Sequence, residues 1–429
     1  MKRLAVAFTL ALVLMHRAHA QTGASSAAGF SFDVYGDSRS MMYLPYQQSE
    51  EAAAKALMTD MFDLVAPEKV SQEIVDKYVR LTYDPATQEL IQVVMPFESR
   101  SEVSTLTVDK GWVTSASVED VKLLPGVHRT MFRLEGGQWV AREVVRDIKS
   151  GNAKFLVNTG DLVWWGRQAG KPSENPYWML VEKDVLQQLP PPDDEMRKAG
   201  LGGRVFPAVG NHEVWSDTDV EGLLGSFPYL AKLGVTDKNL IYKFDYRGAR
   251  FIFLFTGPYD YRQPSDWSAT QPAYEAQMVQ LKKWLDDAKA KRIKNVFITF
   301  HAPVFCRAGM GPIPEVQNPH KIIASYAKDM DIVVFNGHVH TTELFQADGV
   351  KYFVLGGGGA EQDPILPGRT TLPALPADYP EDQYWKGAPP REEYNYLHVD
   401  VTPGKPTKFT IVRYRPQSAE PYASVQAFK

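Results

Sequence analysis

The sequence predicts an α/β fold, and three observations carry that prediction. Short strand-like apolar runs recur along the chain, amphipathic helical patterns lie between them, and five of the runs end in a polar island rich in Gly, Asp, Asn and His. The islands are Gly36-Asp37-Ser38-Arg39 after Phe32–Tyr35, Gly160-Asp161 after Phe155–Thr159, and Gly210-Asn211-His212-Glu213 after Val205–Val209. His301 follows Val296–Phe300, and Gly337-His338-Val339-His340 follows Ile332–Asn336. Groups placed at several strand ends can converge on one edge of a sheet, where α/β proteins build their sites.

Each element follows from its local pattern. Residues 21–29 are small and polar and read as a flexible leader, so the fold starts at Phe30. More than a hundred residues separate the first two islands, far more than a strand-helix-strand crossover needs, which places an insertion over 45–139. Its first part has helical spacing, with Ala52, Leu57, Met61 and Leu64 on one side and Val70, Ile74 and Tyr78 at intervals of four. Its second part is β-rich, with strand candidates at Leu90–Val94, Val103–Val108 and Thr130–Leu134, and with Gly136-Gly137 as a turn into Trp139-Val140. An amphipathic helix over 141–150 leads back to the main domain. Tyr242–Tyr246 and Phe251–Phe255 flank Arg247-Gly248-Ala249 as a hairpin. Met278, Leu281, Trp284 and Leu285 mark a helix over Tyr274–Ala290. Tyr352–Leu355 is a further strand, Gln362–Pro390 a long Pro- and Asp-rich surface loop, and Leu397–Val401 with Phe409–Val412 a closing hairpin. The main domain is thus assigned to 30–44 plus 140–415, with 416–429 as a C-terminal tail.

The 429 residues, 44% hydrophobic, suffice for a large core. Residues 1–20 read as a secretory signal: Lys2 and Arg3, an apolar run from Leu4 to Met15, then Ala18-His19-Ala20 before Gln21. That run is about half of the ~20 residues of a spanning helix, and no other segment is apolar enough to cross a bilayer. The expectation is an exported protein, periplasmic or secreted, with no stable membrane insertion. Removing Lys2, Arg3 and Arg17 takes the formal charge of −4 to about −7, and nothing suggests a polybasic nucleic-acid surface. Cys306 is the single cysteine, so an intramolecular disulfide and a thiolate zinc site are both excluded. Oligomeric state has no sequence signature.

The islands offer aspartate oxygen, neutral imidazole nitrogen and an Asn carbonyl, a donor mixture that suits Mn, Fe or Zn more than calcium. An aspartate can bridge two cations about 3.5 to 4 Å apart, a pair that can hold a phosphoryl oxygen and activate water for in-line attack, so hydrolysis of a phosphate ester is the natural reaction. In order and spacing the islands resemble the signature of the calcineurin-like metallophosphoesterases: GD-x-H, GD-x-x-D-x-G, GNH-[DE], a lone His and GH-x-H. The resemblance implies a four-layer αββα sandwich of two mixed sheets with two divalent metal ions at one edge. It implies that Asp161 bridges the ions, that Asn211, His301 and His338 complete one site, and that Asp37 and His340 serve the other. His212 would contact the phosphoryl group of a phosphomonoester or phosphodiester and protonate the leaving oxygen, a role open to a group that titrates near neutrality.

Two positions depart from the pattern. Arg39 stands where many members have a metal-binding His; a guanidinium has no lone pair for an ion but can clamp substrate phosphate. Trp164 replaces the Asp of the second signature and is not the Tyr of purple acid phosphatases, so a Tyr-ligated ferric centre is not expected. Trp164, Trp165 and Arg307 are candidates for the substrate cleft. Glu213 and Asp331 are expected to orient backbone or histidine, and Gly356–Gly359 to let backbone pass close to the site. A second reading is a phosphate- or metal-binding protein on the same scaffold whose turnover was lost with the Arg39 substitution. His212-Glu213 lacks the second His of a zinc-protease helix, and no Gly-x-Ser-x-Gly elbow is present.

Overall fold

The computed structural model describes residues 29–38, 93–95, 103–109, 112–119, 128–130, 135–163, 178, 181–214, 220–256, 267–308, 313, 318–360, 379–384, 393–414 and 421–428. The strands in chain order are β1 (Phe30–Tyr35), β2 (Val93–Met95), β3 (Val103–Asp109), β4 (Trp112–Glu119), β5 (His128–Thr130), β6 (Leu156–Asn158), β7 (Val205–Pro207), β8 (Tyr242–Tyr246), β9 (Ala249–Phe253), β10 (Asn295–Thr299), β11 (Asp331–Asn336), β12 (Thr342–Ala347), β13 (Val350–Leu355), β14 (Tyr394–Val401), β15 (Lys408–Tyr414) and β16 (Pro421–Ala427). Two six-stranded sheets form, ordered β16-β15-β14-β1-β6-β7 and β12-β13-β11-β10-β9-β8. Both are mixed. In the first, β1, β6 and β7 run parallel and β14 to β16 antiparallel; in the second, β9, β10, β11 and β13 run parallel between antiparallel edges.

The period of two along each strand decides what packs where. Phe30, Phe32 and Val34 of β1 point between the sheets, where Phe32 meets Phe251 at 5.1 Å and Phe297 at 5.0 Å, ring centre to ring centre. The alternate residues of the second sheet, Ile252, Val296, Ile298, Ile332 and Val334, form a separate core with Leu281 and Leu285 of the helix Trp267–Ala290. On the other side Val140, Val144, Val145 and Ile148 of the helix Glu135–Ser150 pack on the first sheet. The order helix, sheet, sheet, helix is the predicted sandwich. Removing a ring such as Phe32 should cost about 3–5 kcal/mol, since its place between two sheets cannot close.

Several local expectations change. The helix expected over 141–150 begins at Glu135, so Gly136-Gly137 lies in its first turn rather than in a hairpin. The first-turn N–H groups of a helix have no intrahelical partners, which lowers the demand on side chains there, and the apolar spacing from Val140 onward holds the rest. Residues 421–427, assigned to a tail, form β16, paired with β15 from Phe409↔Ala427 onward; Val425 and Ala427 alternate with polar Ser424 and Gln426, an edge-strand pattern. Asp382, inside the predicted surface loop, is buried, and its Oδ1 accepts Leu344 N–H at 3.0 Å and Tyr384 N–H at 2.9 Å. Strands β2 with β5 and β3 with β4 make two small ladders in the expected β-rich stretch; its expected helical part lies outside the described residues. The hairpin β8–β9 turns on Arg247 and Gly248, both at positive φ (48° and 79°), the two-residue turn whose twist suits antiparallel strands.

Candidate metal centre

All five islands follow parallel strands and meet at their C-terminal ends: Asp37 after β1, Asp161 after β6, Asn211 and His212 after β7, His301 after β10, and His338 and His340 after β11. Backbone bonds tie the two sheets together at this edge. Asp37 N–H donates to Gly160 O at 2.9 Å, Gly36 N–H to Leu355 O at 3.1 Å, Gly358 N–H to Gly36 O at 3.0 Å and Gly337 N–H to His301 O at 2.8 Å. Gly358 passes so close to Gly36 that a Cβ would overlap its carbonyl, which bears out the expectation for Gly356–Gly359.

Three proposed ligands, Asp37, Asp161 and His338, sit at left-handed φ of 53°, 53° and 70°. Non-glycine residues hold such angles only where their surroundings enforce them, a pattern that clusters at functional sites. For Asp161 the enforcement is visible. The buried Glu213 carboxylate accepts N–H from Asp161 (2.9 Å) and Gly210 (2.7 Å) on Oε2, and from Leu162 (2.6 Å) and Val163 (3.3 Å) on Oε1. Burial and the neighbouring Asp161 push the Glu213 carboxyl up, opposed by His301 and by these N–H donors. The expected backbone-orienting role of Glu213 is therefore present. Asp331 does not share it: its carboxylate pairs with Lys351 Nζ at 2.6 Å at the start of β11, a strand length away from the ligands at the other end.

The donors converge. Asp161 Oδ2 lies 3.1 Å from His301 Nε2 and 3.6 Å from His212 Nε2, while Asp161 Oδ1 accepts His212 N–H at 3.1 Å. His338 Nδ1 is 3.0 Å from Asn211 Oδ1 and 3.3 Å from His301 Nε2. His301 Nδ1 faces the Thr159 carbonyl at 2.9 Å, which can only accept, so the proton is assigned to Nδ1 and the Nε2 lone pair points at the cluster. Asp37 accepts His338 N–H at 2.9 Å on each oxygen, and its Oδ1 lies 3.6 Å from His340 Nε2. A carboxylate and two imidazoles with ligand atoms within 4.8 Å of one another, and an amide oxygen 3.0 Å from one of those imidazoles, suit a cation. Without a bound ion, burial pushes the His301 imidazole down but Asp161 and Asp37 raise it to about 9, so Nε2 then carries a proton, and a cation held here would take that proton's place on the lone pair. The residues present therefore fit a divalent metal: Asp161, His301 and His338 turn donor atoms toward one another, with Asn211 beside His338 and with Asp37 beside His340.

A comparison with protein families matches residues 127–342, half of the chain, to the calcineurin-like phosphoesterase model. The chain belongs to the calcineurin-like phosphoesterase family. The match spans Asp161, Asn211, His212, His301, His338 and His340; Asp37 lies before it and joins them through the β1–β6 pairing. The match supports a metallophosphoesterase, of a family whose members use divalent metals. No curated protein matches the sequence. Among solved structures it is similar to purple acid phosphatase PPD1 of yellow lupin seeds, at 14% identity and TM-score 0.43, over 78% of this chain and 55% of that one. It is also similar to a dimetal phosphatase from Danio rerio, at 10% identity and TM-score 0.43 over 93% and 98%, and to GAP50 of the Plasmodium inner membrane complex, at 15% and 0.41 over 68% and 83%.

Of the remaining candidates, Arg39, Trp164 and Trp165 lie outside the described residues. Arg307 of this phosphoesterase is half-buried beside Tyr379, its guanidinium carbon 6.0 Å from the ring centre, and its Nη2 donates to Pro380 O at 3.0 Å. Its backbone N–H donates to Glu343 Oε2 at 2.6 Å and Ala308 N–H to Glu343 Oε1 at 3.2 Å, so buried Glu343 shapes the loop after His301. Sequence reading missed Glu343 and Thr159, whose carbonyl sets the His301 tautomer. Nothing local marks either residue, because a backbone carbonyl carries no residue type and Glu343 contacts a loop 35 positions away.

Proposed function

We propose that this phosphoesterase is an exported enzyme that hydrolyses a phosphomonoester or phosphodiester with two divalent cations, Mn, Fe or Zn. The observation that carries the reading is the meeting of Asp37, Asp161, Asn211, His301, His338 and His340 at the ends of parallel strands. Asp161, Asn211, His301 and His338 would hold one cation, Asp37 and His340 the other, with Asp161 serving both. When bound, the cations would supply Lewis-acid stabilisation of phosphoryl charge and a water deprotonated near neutral pH. His212 would donate a proton to the leaving oxygen; its backbone N–H to Asp161 holds it beside the donor cluster. Arg39, two positions after Asp37, would clamp phosphate oxygens through its planar guanidinium. The pattern of residues 1–20 supports export, with Gln21 as the mature N-terminus.

The test compares p-nitrophenyl phosphate, bis-p-nitrophenyl phosphate and alkyl phosphate esters with Mn, Fe or Zn supplied. A nitrophenolate leaves without a proton, so His212→Ala should slow alkyl esters by roughly 10²–10⁴ and nitrophenyl esters far less. Equal losses on both remove the acid role, and no turnover of any ester removes the enzymatic reading. Arg39→Ala should raise KM at unchanged metal content. Chain recovered outside the cytoplasm should begin at Gln21; uncleaved cytoplasmic chain contradicts export.

A further inference from the structure

A second group of metal-type ligands lies away from the phosphoesterase centre, on the face of β1 that looks toward the helix Glu135–Ser150. Asp33 of β1 and His398 of β14 are cross-strand partners, and Asp147 of the helix reaches down onto them. One ligand atom from each lies within 4.8 Å of the others. Asp33 is fully buried; its Oδ1 is 2.7 Å from His398 Nδ1, and its Oδ2, also out of solvent, has no hydrogen-bond partner among the described residues. An unpartnered carboxylate oxygen in the interior is costly to keep, and a cation satisfies it in a way one imidazole proton does not.

The surroundings complete the arrangement. His398 Nε2 faces Asp400 Oδ1 at 3.4 Å, and Ser31 Oγ donates to that same oxygen at 2.5 Å. Tyr396 OH donates to Asp147 Oδ2 at 2.9 Å, orienting the third ligand. A carboxylate behind the far nitrogen of a histidine and a hydroxyl behind a carboxylate are the supports that metal ligands usually have. Asp33, Asp147 and Asp400 together bring three carboxyl groups to one imidazole. His398 is 20% exposed and Asp400 42%, which leaves a path from solvent to a group otherwise sealed by the helix.

We propose that Asp33, Asp147 and His398 form a binding site for a divalent transition-metal ion, separate from the catalytic centre and tying the helix Glu135–Ser150 to the first sheet. Two carboxylates and an imidazole leave a fourth position for water, a donor set that zinc accepts. The site is independent of the hydrolytic reading.

The experiment strips the full chain with chelator, reloads it with Zn²⁺ and counts bound zinc by mass spectrometry. Asp33→Asn, Asp147→Asn and His398→Gln should each lose one zinc per chain while ester turnover stays within about threefold of wild type. Asp161→Asn should lose zinc from the other centre, and its combination with Asp147→Asn should lose both increments. Zinc content equal to wild type in Asp147→Asn and His398→Gln overturns the site. Those two side chains reach solvent, so they carry the test even where the buried Asp33→Asn does not fold.

Discussion

Glu213→Gln is the sharpest perturbation of the loop that carries Asp161. The carboxylate accepts four backbone N–H groups, two on each oxygen, and a carboxamide of the same shape has one oxygen. Whichever way the amide turns, two buried N–H donors face an NH₂ group. Each buried donor left unsatisfied costs about 1–3 kcal/mol, so the variant should lose about 2–6 kcal/mol, a large part of the 5–15 kcal/mol typical of a domain. The same donors hold Asp161 at its left-handed φ, so metal affinity should fall with stability. Urea unfolding followed by tryptophan fluorescence gives the first quantity, and Mn²⁺ titration of turnover the second. A stability loss under 1 kcal/mol together with an unchanged Mn²⁺ midpoint would refute the claim that Glu213 builds the site.

Gly210→Ala places a Cβ against the Asp161 carboxylate and should cost at least tenfold in turnover, with 1–3 kcal/mol of stability; wild-type kinetics would contradict the close approach. Arg250 is fully buried, bonded to Asp245 (2.7 Å), Asp287 (2.7 Å) and Trp284 O (2.5 Å). Arg250→Met should destabilise by about 2–3 kcal/mol, less than a fully buried pair because both carboxylates reach water, as urea unfolding will report. In metal-free protein, burial pushes the Asp33 carboxyl up to about 7 against its hydrogen bond to His398. Burial pulls His398 down, but its bond to Asp33 and the nearby carboxylates raise it overall. Both folded-state values exceed the unfolded ones, so both contributions are full at low pH and fade as pH rises, that of Asp33 between about 4 and 7. Wild-type stability relative to Asp33→Asn should therefore fall across that window by up to ~1.4 kcal/mol per pH unit; parallel unfolding curves would contradict it.

The edge that gathers the donor cluster was legible because its residues are local: each island is a few positions long and follows a strand whose apolar run is plain. Asp37, Asp161, Asn211, His301, His338 and His340 meet as the islands suggested. What stayed hidden depends on distance in the chain. The helix from Glu135 starts on two glycines because its hold on the sheet lies at Val140 and beyond. Strand β16 pairs only once β15 is in place. The expected orienting role of Asp331 fails because β11 carries it to the opposite edge, where it pairs with Lys351. Asp33 gave one sign, an acid inside a buried strand, whose meaning appears only when β14 and the helix bring His398 and Asp147 to it.

The central claim is that the converging islands hold the metal on which hydrolysis depends. Chelator-stripped wild-type protein should be inactive toward p-nitrophenyl phosphate or its bis ester and regain turnover with Mn²⁺. Asp161→Asn should need far more Mn²⁺ and reach at most a hundredth of the wild-type rate. Stripped protein that hydrolyses either ester at full rate, or Asp161→Asn with an unchanged Mn²⁺ dependence, would contradict it.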